Sequence, residues 1–390
     1  MAVKREKRTE RVALPEVATL AAARWFAGKG RAVAGIEHVG GIAPDAARGA
    51  SLVLVDVAYE DGGSERYALA LRDGRECGGD DPLWAALAGW AGVEAVPSRS
   101  RFLAEDLSNT VVSLDDRLVL KLFRRLERGP HPEAELLGAL AGFGQVPELV
   151  GVVDHDCMTI GLVEEFVAGV PVGWEELIAR LAAGDDAPGE GADLGHVAAA
   201  LHRQLAAALG VRLGRGEDVG TERAAAATAL ADAGFVELEA AIGVRLAKLD
   251  HLAGAPLQRV HGDLHVGQVL RASQGLVVID FEGDPSLPLA ERSRERSPLV
   301  DLASLLLSLD HAGCAAARRQ PSFDWRGWSS RARAACLSAY ELEAGAVDRE
   351  LLRALEVAKE LRELVYASRW LPEWLYAPRT VLPTLLEAGT

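Results

Sequence analysis

Apolar and polar positions follow two periods along this chain, and the change of period divides it. Residues 14–24 place apolar side chains at helical spacing and run into Arg24-Trp25-Phe26-Ala27-Gly28-Lys29. The period then falls to two over residues 34–39, 51–59 and 66–71, which predicts three half-buried strands. Asp61-Gly62-Gly63 between the last two is a hairpin signal, and residues 82–91 return to helical spacing. Residues 1–97 therefore read as an α+β module whose first fifteen residues are polar and stand outside its core. A second alternating set fills residues 98–190. Residues 102–105 and 110–114 pair across Asp106-Leu107-Ser108-Asn109, and Asp115-Asp116-Arg117 turns into an apolar strand, 118–123, that carries Lys121. A helix over 132–140 and strands over 146–153 and 159–166 follow, and an acidic, glycine-rich stretch at 183–191 closes the set. From residue 191 to 390 the helical period rules: 193–209, then 222–250 as one helix or two parted near Gly234, a helix from Leu299, and another over 348–371. The fold class is α+β with a mostly helical final half.

One stretch interrupts that helical half. Val260-His261-Gly262-Asp263-Leu264-His265-Val266-Gly267-Gln268-Val269-Leu270 reads as strand, tight loop, strand. A turn at Gln274-Gly275 leads into a short apolar strand that ends on Asp280, within Asp280-Phe281-Glu282-Gly283-Asp284. Two carboxylates delivered by adjacent strand ends can face one small volume. That arrangement suits phosphoryl transfer, where one acid orients a hydroxyl and another holds magnesium.

Composition narrows the partners. The 390 residues are 49% hydrophobic and 25% charged, enough for a sizeable core in two or three packed subdomains. A formal charge of −15 argues against nucleic acid and against an anionic membrane surface, and suits a cationic substrate. Cys77, Cys157, Cys314 and Cys336 lie far apart with no metal-ligand or disulfide spacing. The charged N-terminus has no apolar signal core after it, and no apolar run is long enough to span a bilayer, so a cytoplasmic location with reduced thiols is expected. The pattern does not speak to oligomeric state.

The five-residue spacing of Asp263 and Gln268, with Asp280 at the next strand end, resembles the catalytic loop of the aminoglycoside phosphotransferase branch of the protein-kinase-like fold, which begins His-Gly-Asp. Gln268 stands where that branch usually has Asn. The maltokinase and glucosamine kinase group resembles the chain more closely, in the Gln, in Asp-Phe-Glu-Gly, in Pro288-Leu289-Ala290-Glu291-Arg292 through Asp301, and in the Arg-Trp-Phe-Ala-Gly-Lys opening. The resemblance implies a bilobal kinase-like fold with an N-terminal cap, and use of ATP and Mg2+ with a small-molecule sugar as substrate. It implies Asp263 as catalytic base, with Gln268 and Asp280 on magnesium; Glu282, two residues beyond Asp280, points to the same side of an extended segment and is expected to touch metal or sugar. Ser108, Asn109 and Thr110 would approach the nucleotide phosphates, and backbone groups of Glu165 and Val167 the adenine.

Lys121, an ammonium inside an apolar strand, needs a partner. The following helix offers Glu133 and Glu135, and Glu135 is favoured. Asp301 buttresses the loop or binds a sugar hydroxyl. Glu363, Tyr366 and Trp370 share one helical face and make a sugar platform, to which the resemblance adds Arg369 and His265. The extra tryptophans and the surrounding acids favour glucosamine, phosphorylated at its 6-hydroxyl. Maltose 1-phosphorylation, aminoglycoside phosphorylation and a silent binding module are the alternatives.

Overall fold

The computed structural model describes residues 13–23, 25–103, 108–187, 189–234, 238–284 and 287–387. The expected strand end and turn at residues 104–107, and Arg24, lie outside these. The chain forms two compact units, residues 1–141 with 147–167, and residues 142–146 with 168–390.

In the first unit α1 (Val17–Ala22) precedes β1 (Val33–Ile42), β2 (Ser51–Tyr59), β3 (Ser64–Arg72) and β4 (Arg75–Glu76), an antiparallel sheet in sequence order. The period of two places Val53, Val55, Val57 and Tyr59 of β2, and Tyr67, Leu69 and Leu71 of β3, on one face, where they pack on Leu20 and Phe26. The buried Tyr59 and Tyr67 hydroxyls both donate to Glu65, at 2.5 and 2.6 Å. Gly28 lies so close to Tyr59 that a Cβ there would stand 2.2 Å from its hydroxyl oxygen. The Gly28-Lys29 segment is thus fitted to the core.

Helix α2 (Pro82–Trp90) is capped by Asp81, which accepts from Leu83 N at 2.9 Å. The next strands are β5 (Ser100–Phe102), β6 (Thr110–Leu114), β7 (Leu118–Leu122) and β8 (Arg125–Leu126); β8 pairs with β3. After α3 (Pro132–Ala139) come β9 (Leu149–His155) and β10 (Met158–Glu165), giving a second antiparallel sheet in the order β5-β6-β7-β10-β9. Lys121 sits in its central strand, opposite Val111 and Leu162.

The second unit starts with β11 (Gly169–Pro171), α4 (Trp174–Ala182), α5 (Glu190–Leu209), β12 (Arg212–Leu213) and α6 (Gly216–Ala233). Gly234, at φ 68°, ends α6, and α7 (Glu239–Leu246) resumes beyond it, so the 222–250 stretch is two helices. Then follow β13 (Pro256–Leu257), β14 (Val269–Ala272), β15 (Gly275–Val278), α8 (Leu289–Arg292), α9 (Leu299–Arg319), α10 (Trp325–Ala344), α11 (Arg349–Trp370) and α12 (Tyr376–Glu387). Where the pattern predicts a strand into Val260, a single bridge from Gln258 to Arg296 precedes the loop. Helices α5 and α10 pack with backbones nearly touching: a Cβ on Gly191 or Gly195 would lie 2.1 or 2.2 Å from the Ala332 or Cys336 carbonyl. Helix α9 is long and apolar enough to cross a membrane by length and composition, yet its apolar window is wholly buried within the fold. It is the core helix on which the site is built.

Candidate active site

The loop from His261 to Gln268 is fixed from below by α9. Asp301, in the first turn of that helix and fully buried, accepts from His261 N and Gly262 N, each at 2.8 Å, and from His202 Nε2 at 3.0 Å. Burial would raise its pKa, but the His202 bond and the Gly262 amide hold it below the ordinary carboxylate value. Tyr340 Oη bonds the far nitrogen of His202 at 2.9 Å, so α5, α9 and α10 converge on one carboxylate. The alternative sugar-binding role of Asp301 is corrected here, because a buried acid whose oxygens serve the loop backbone has no face for a ligand. Farther along, Ser308 Oγ accepts from Val266 N at 3.2 Å.

The Asp280 loop is stitched to this one. His261 Nε2 bonds the Ile279 carbonyl at 3.0 Å, and Ile279 N donates to the Gln268 carbonyl at 2.9 Å. Gly262, at φ 87°, leaves only 3.3 Å between a would-be Cβ and Gly283 Cα, so the two loops meet where glycine permits it. Gln268 Nε2 donates to Asp280 Oδ2 at 2.9 Å. Asp280 holds φ 68°, a left-handed conformation that few residues other than glycine, Asn and Asp accept. A carboxylate and an amide held together supply hard oxygen donors. That set fits Mg2+, which takes one or two protein ligands and completes its shell with water and phosphate.

Asp263 faces a partner that the sequence reading did not supply. Lys359 Nζ on α11 lies 3.0 Å from Asp263 Oδ1 and 2.9 Å from Glu363 Oε1. Burial pushes the Asp263 carboxyl up, but Lys359 and then His265 outweigh it and bring its pKa down to about 2. His265, whose Nδ1 accepts from Gly267 N at 3.0 Å, is pushed below its ordinary pKa by burial. Asp263 is thus a partly buried carboxylate, held ionised with an ammonium on one side and an imidazole on the other.

A cavity of about 370 Å³ opens on Asp263 and His265. Its polar wall is Asp284, Lys359, Arg362, Glu363 and Tyr366, and its aromatic wall is Trp174 and Trp374, whose ring centroids are 6.0 Å apart. His311 of α9 also lines it, stacked 6.3 Å from Trp174, with Nε2 3.0 Å from the fully buried Glu360. Burial lowers the His311 pKa, but Glu360 outweighs it and the imidazole is held above its usual value.

Three expected members stand elsewhere. Arg369 pairs with Asp232 at 2.9 Å on the exposed side of α11. Trp370 is the last residue of α11 and 49% exposed; the chain turns at Leu371, and Trp374 takes the wall instead. Glu282 packs beside Arg292, which donates to its carbonyl at 3.0 Å, and Asp284, two residues on, reaches the cavity.

In the first unit Lys121 Nζ lies 2.9 Å from Glu133 Oε2, which corrects the choice of Glu135. The two glutamates are two residues apart and so about 200° apart around the helix; Glu133 faces the sheet and is fully buried, whereas Glu135 is half-buried. Asn109 Oδ1 accepts from Arg124 N at 3.3 Å, the Thr110 hydroxyl is buried and has no hydrogen-bond partner among the described residues, and Ser108 is exposed. Glu165 N donates to the Glu148 carbonyl at 2.9 Å, which leaves the Glu165 carbonyl and Val167 as the adenine-facing backbone of the expectation.

A lysine in a five-stranded sheet paired with a helix glutamate, and an Asp loop stitched to an Asp-Phe-Glu-Gly loop, define a kinase-like phosphotransferase. The chain belongs to the phosphotransferase enzyme family, whose pattern matches residues 100–337, and residues 20–91 match the maltokinase N-terminal cap domain. It is 33% identical over 327 residues to a glucosamine kinase of Streptacidiphilus jiangxiensis, covering 73% of each chain. A solved glucosamine kinase superposes with a TM-score of 0.76 at 28% identity, covering 96% of this chain and 98% of that one. A glucosamine kinase structure holding glucosamine, ADP and inorganic phosphate superposes at 0.69, also at 28% identity, covering 95% and 99%.

Proposed function

We propose that this protein phosphorylates the 6-hydroxyl of glucosamine, with ATP as donor and Mg2+ as cofactor. The observation that carries the reading is the charge of the cavity. Three carboxylates (Asp263, Asp284, Glu363) face two cations (Lys359, Arg362), while His311 and Glu360 offset each other, so one negative charge is left over for one ammonium. The aromatic wall suits a sugar ring, and the similarity to glucosamine kinases supports the same substrate.

In this reading Asp263 orients the hydroxyl and takes its proton late, since a carboxylate of such low pKa is a weak base. Lys121, held by Glu133, positions the donor phosphates, with Ser108, Asn109 and Thr110 close to them and the Glu165 and Val167 backbone on the adenine. Gln268 and Asp280 hold Mg2+, which when bound neutralises charge on the phosphates. Lys359 keeps Asp263 ionised and aimed.

The test is ADP release by purified protein with ATP and magnesium across glucosamine, glucose, maltose, N-acetylglucosamine and an aminoglycoside. Glucosamine should be preferred, and Asp263→Asn should slow turnover by about 10²–10⁴. Turnover on maltose or an aminoglycoside in its place would overturn the substrate.

A further inference from the structure

Arg362 follows Lys359 by three residues on α11, so the two cations share one helical face and one cavity. Their surroundings differ. Lys359 has two carboxylates within 3.0 Å. Among the described residues Arg362 has no carboxylate within 4.0 Å and no hydrogen bond from any of its donors, and its Nε is fully enclosed with no partner. The acids nearby are held by other cations: Glu363 by Lys359 at 2.9 Å, and Glu222, behind Arg362 in a smaller cavity, by Arg296 at 2.8 Å. Burial, and then Arg296, both work against its charge. A guanidinium cannot shed its proton under these conditions, so an unpaired one in such a place is costly to the resting protein.

The proposed substrate does not explain it, since an ammonium is repelled by a guanidinium. The product does. Transfer converts a hydroxyl in this cavity into a phosphate monoester dianion, and an arginine fork matches two phosphate oxygens at once. We propose that Arg362 is the phosphate-binding residue of the acceptor cavity, taking the phosphate monoester of the phosphorylated sugar on its guanidinium. The sugar named rests on the function proposed above; the anion site rests on Arg362 itself.

The test is calorimetric titration of the full chain, its nucleotide site filled with ADP and magnesium, with inorganic phosphate, glucosamine 6-phosphate and glucosamine in turn. The wild type is compared with Arg362→Met and with Arg362→Gln, the second variant guarding against a failure of the first to fold. The expected result is at least a tenfold loss of affinity for phosphate, for its ester or for both, with glucosamine binding unchanged or tighter. The ligand-free Arg362→Met protein should melt at a higher temperature, because an unpaired, partly buried charge has gone. Binding of the ester alone identifies the product as the ligand, and binding of both anions extends the site to free phosphate. If phosphate binding depends on Arg362 while neither glucosamine nor its ester binds the wild type, the anion site stands and the substrate reading falls. Affinities equal to wild type in a folded variant, or no binding of either anion to the wild type, would overturn the proposal.

Discussion

Lys359 sets the state of Asp263, the residue proposed as the base. Desolvation alone would hold the partly buried Asp263 carboxyl above its ordinary value of 3.8, and the adjacent ammonium is the first reason that it sits at about 2. The folded pKa is depressed, so the stabilisation from the pair is complete above about pH 4 and is lost as pH falls toward 2, worth about 2 kcal/mol in all. Lys359→Met removes the larger of the charges that oppose desolvation. Asp263 then titrates higher, and the acid limb of the kcat/KM profile should move up in pH; a limb that stays in place would remove Lys359 from this role. The same scale separates two glutamates. Glu133→Ala strips a buried ammonium of its partner and should raise the KM for ATP tenfold or more, whereas Glu135→Ala should change it little, as steady-state kinetics on the two variants will tell. For a control at the proposed magnesium site, Asp280→Asn is the suitable change, since Asn tolerates the left-handed backbone that Ala would strain.

At the scale of elements, α9 is both core and scaffold. Its Asp301 carries two backbone amides and a histidine, and Asn in its place keeps the shape but turns an NH2 toward donors. Asp301→Asn should lower stability by about 2–4 kcal/mol and depress kcat, read by chemical denaturation and turnover. What was legible in the sequence follows the same geography. Asp263, Gln268 and Asp280 lie within eighteen residues, and their spacing points to phosphoryl transfer before any fold is known. The strands of the first unit were legible too, because a period of two survives wherever one sheet face is buried. Lys359 was not, since a Lys four residues before a Glu reads as an ordinary helix-surface pair. His311, Trp174 and Trp374 carry no local signal, for they become neighbours only when α4, α9 and the turn after α11 pack together. Trp370 misled because helical phase tells which face a residue lies on, but not that the helix stops there.

For the whole molecule, burial governs reactivity. Cys77, Cys314 and Cys336 are buried, with burial pushing Cys77 and Cys336 up to about 12, whereas Cys157 is exposed. Alkylation of the native protein should therefore add one group, at Cys157, and four after denaturation; mass spectrometry that found two or more native adducts would contradict the packing. The acceptor cavity has a further consequence, one of time. The aspartate proposed as its base is residue 263, but its aromatic wall and rim include Trp374, Ala377 and Pro378, held down by Val381, Leu382 and Leu385 of α12 against Leu361 and Leu364. A ribosome that has released the catalytic loop must still add more than a hundred residues before the sugar has a wall to lie against. During synthesis the loop residues are therefore made, and α9 arrives to fix them, before the cavity exists to receive an acceptor.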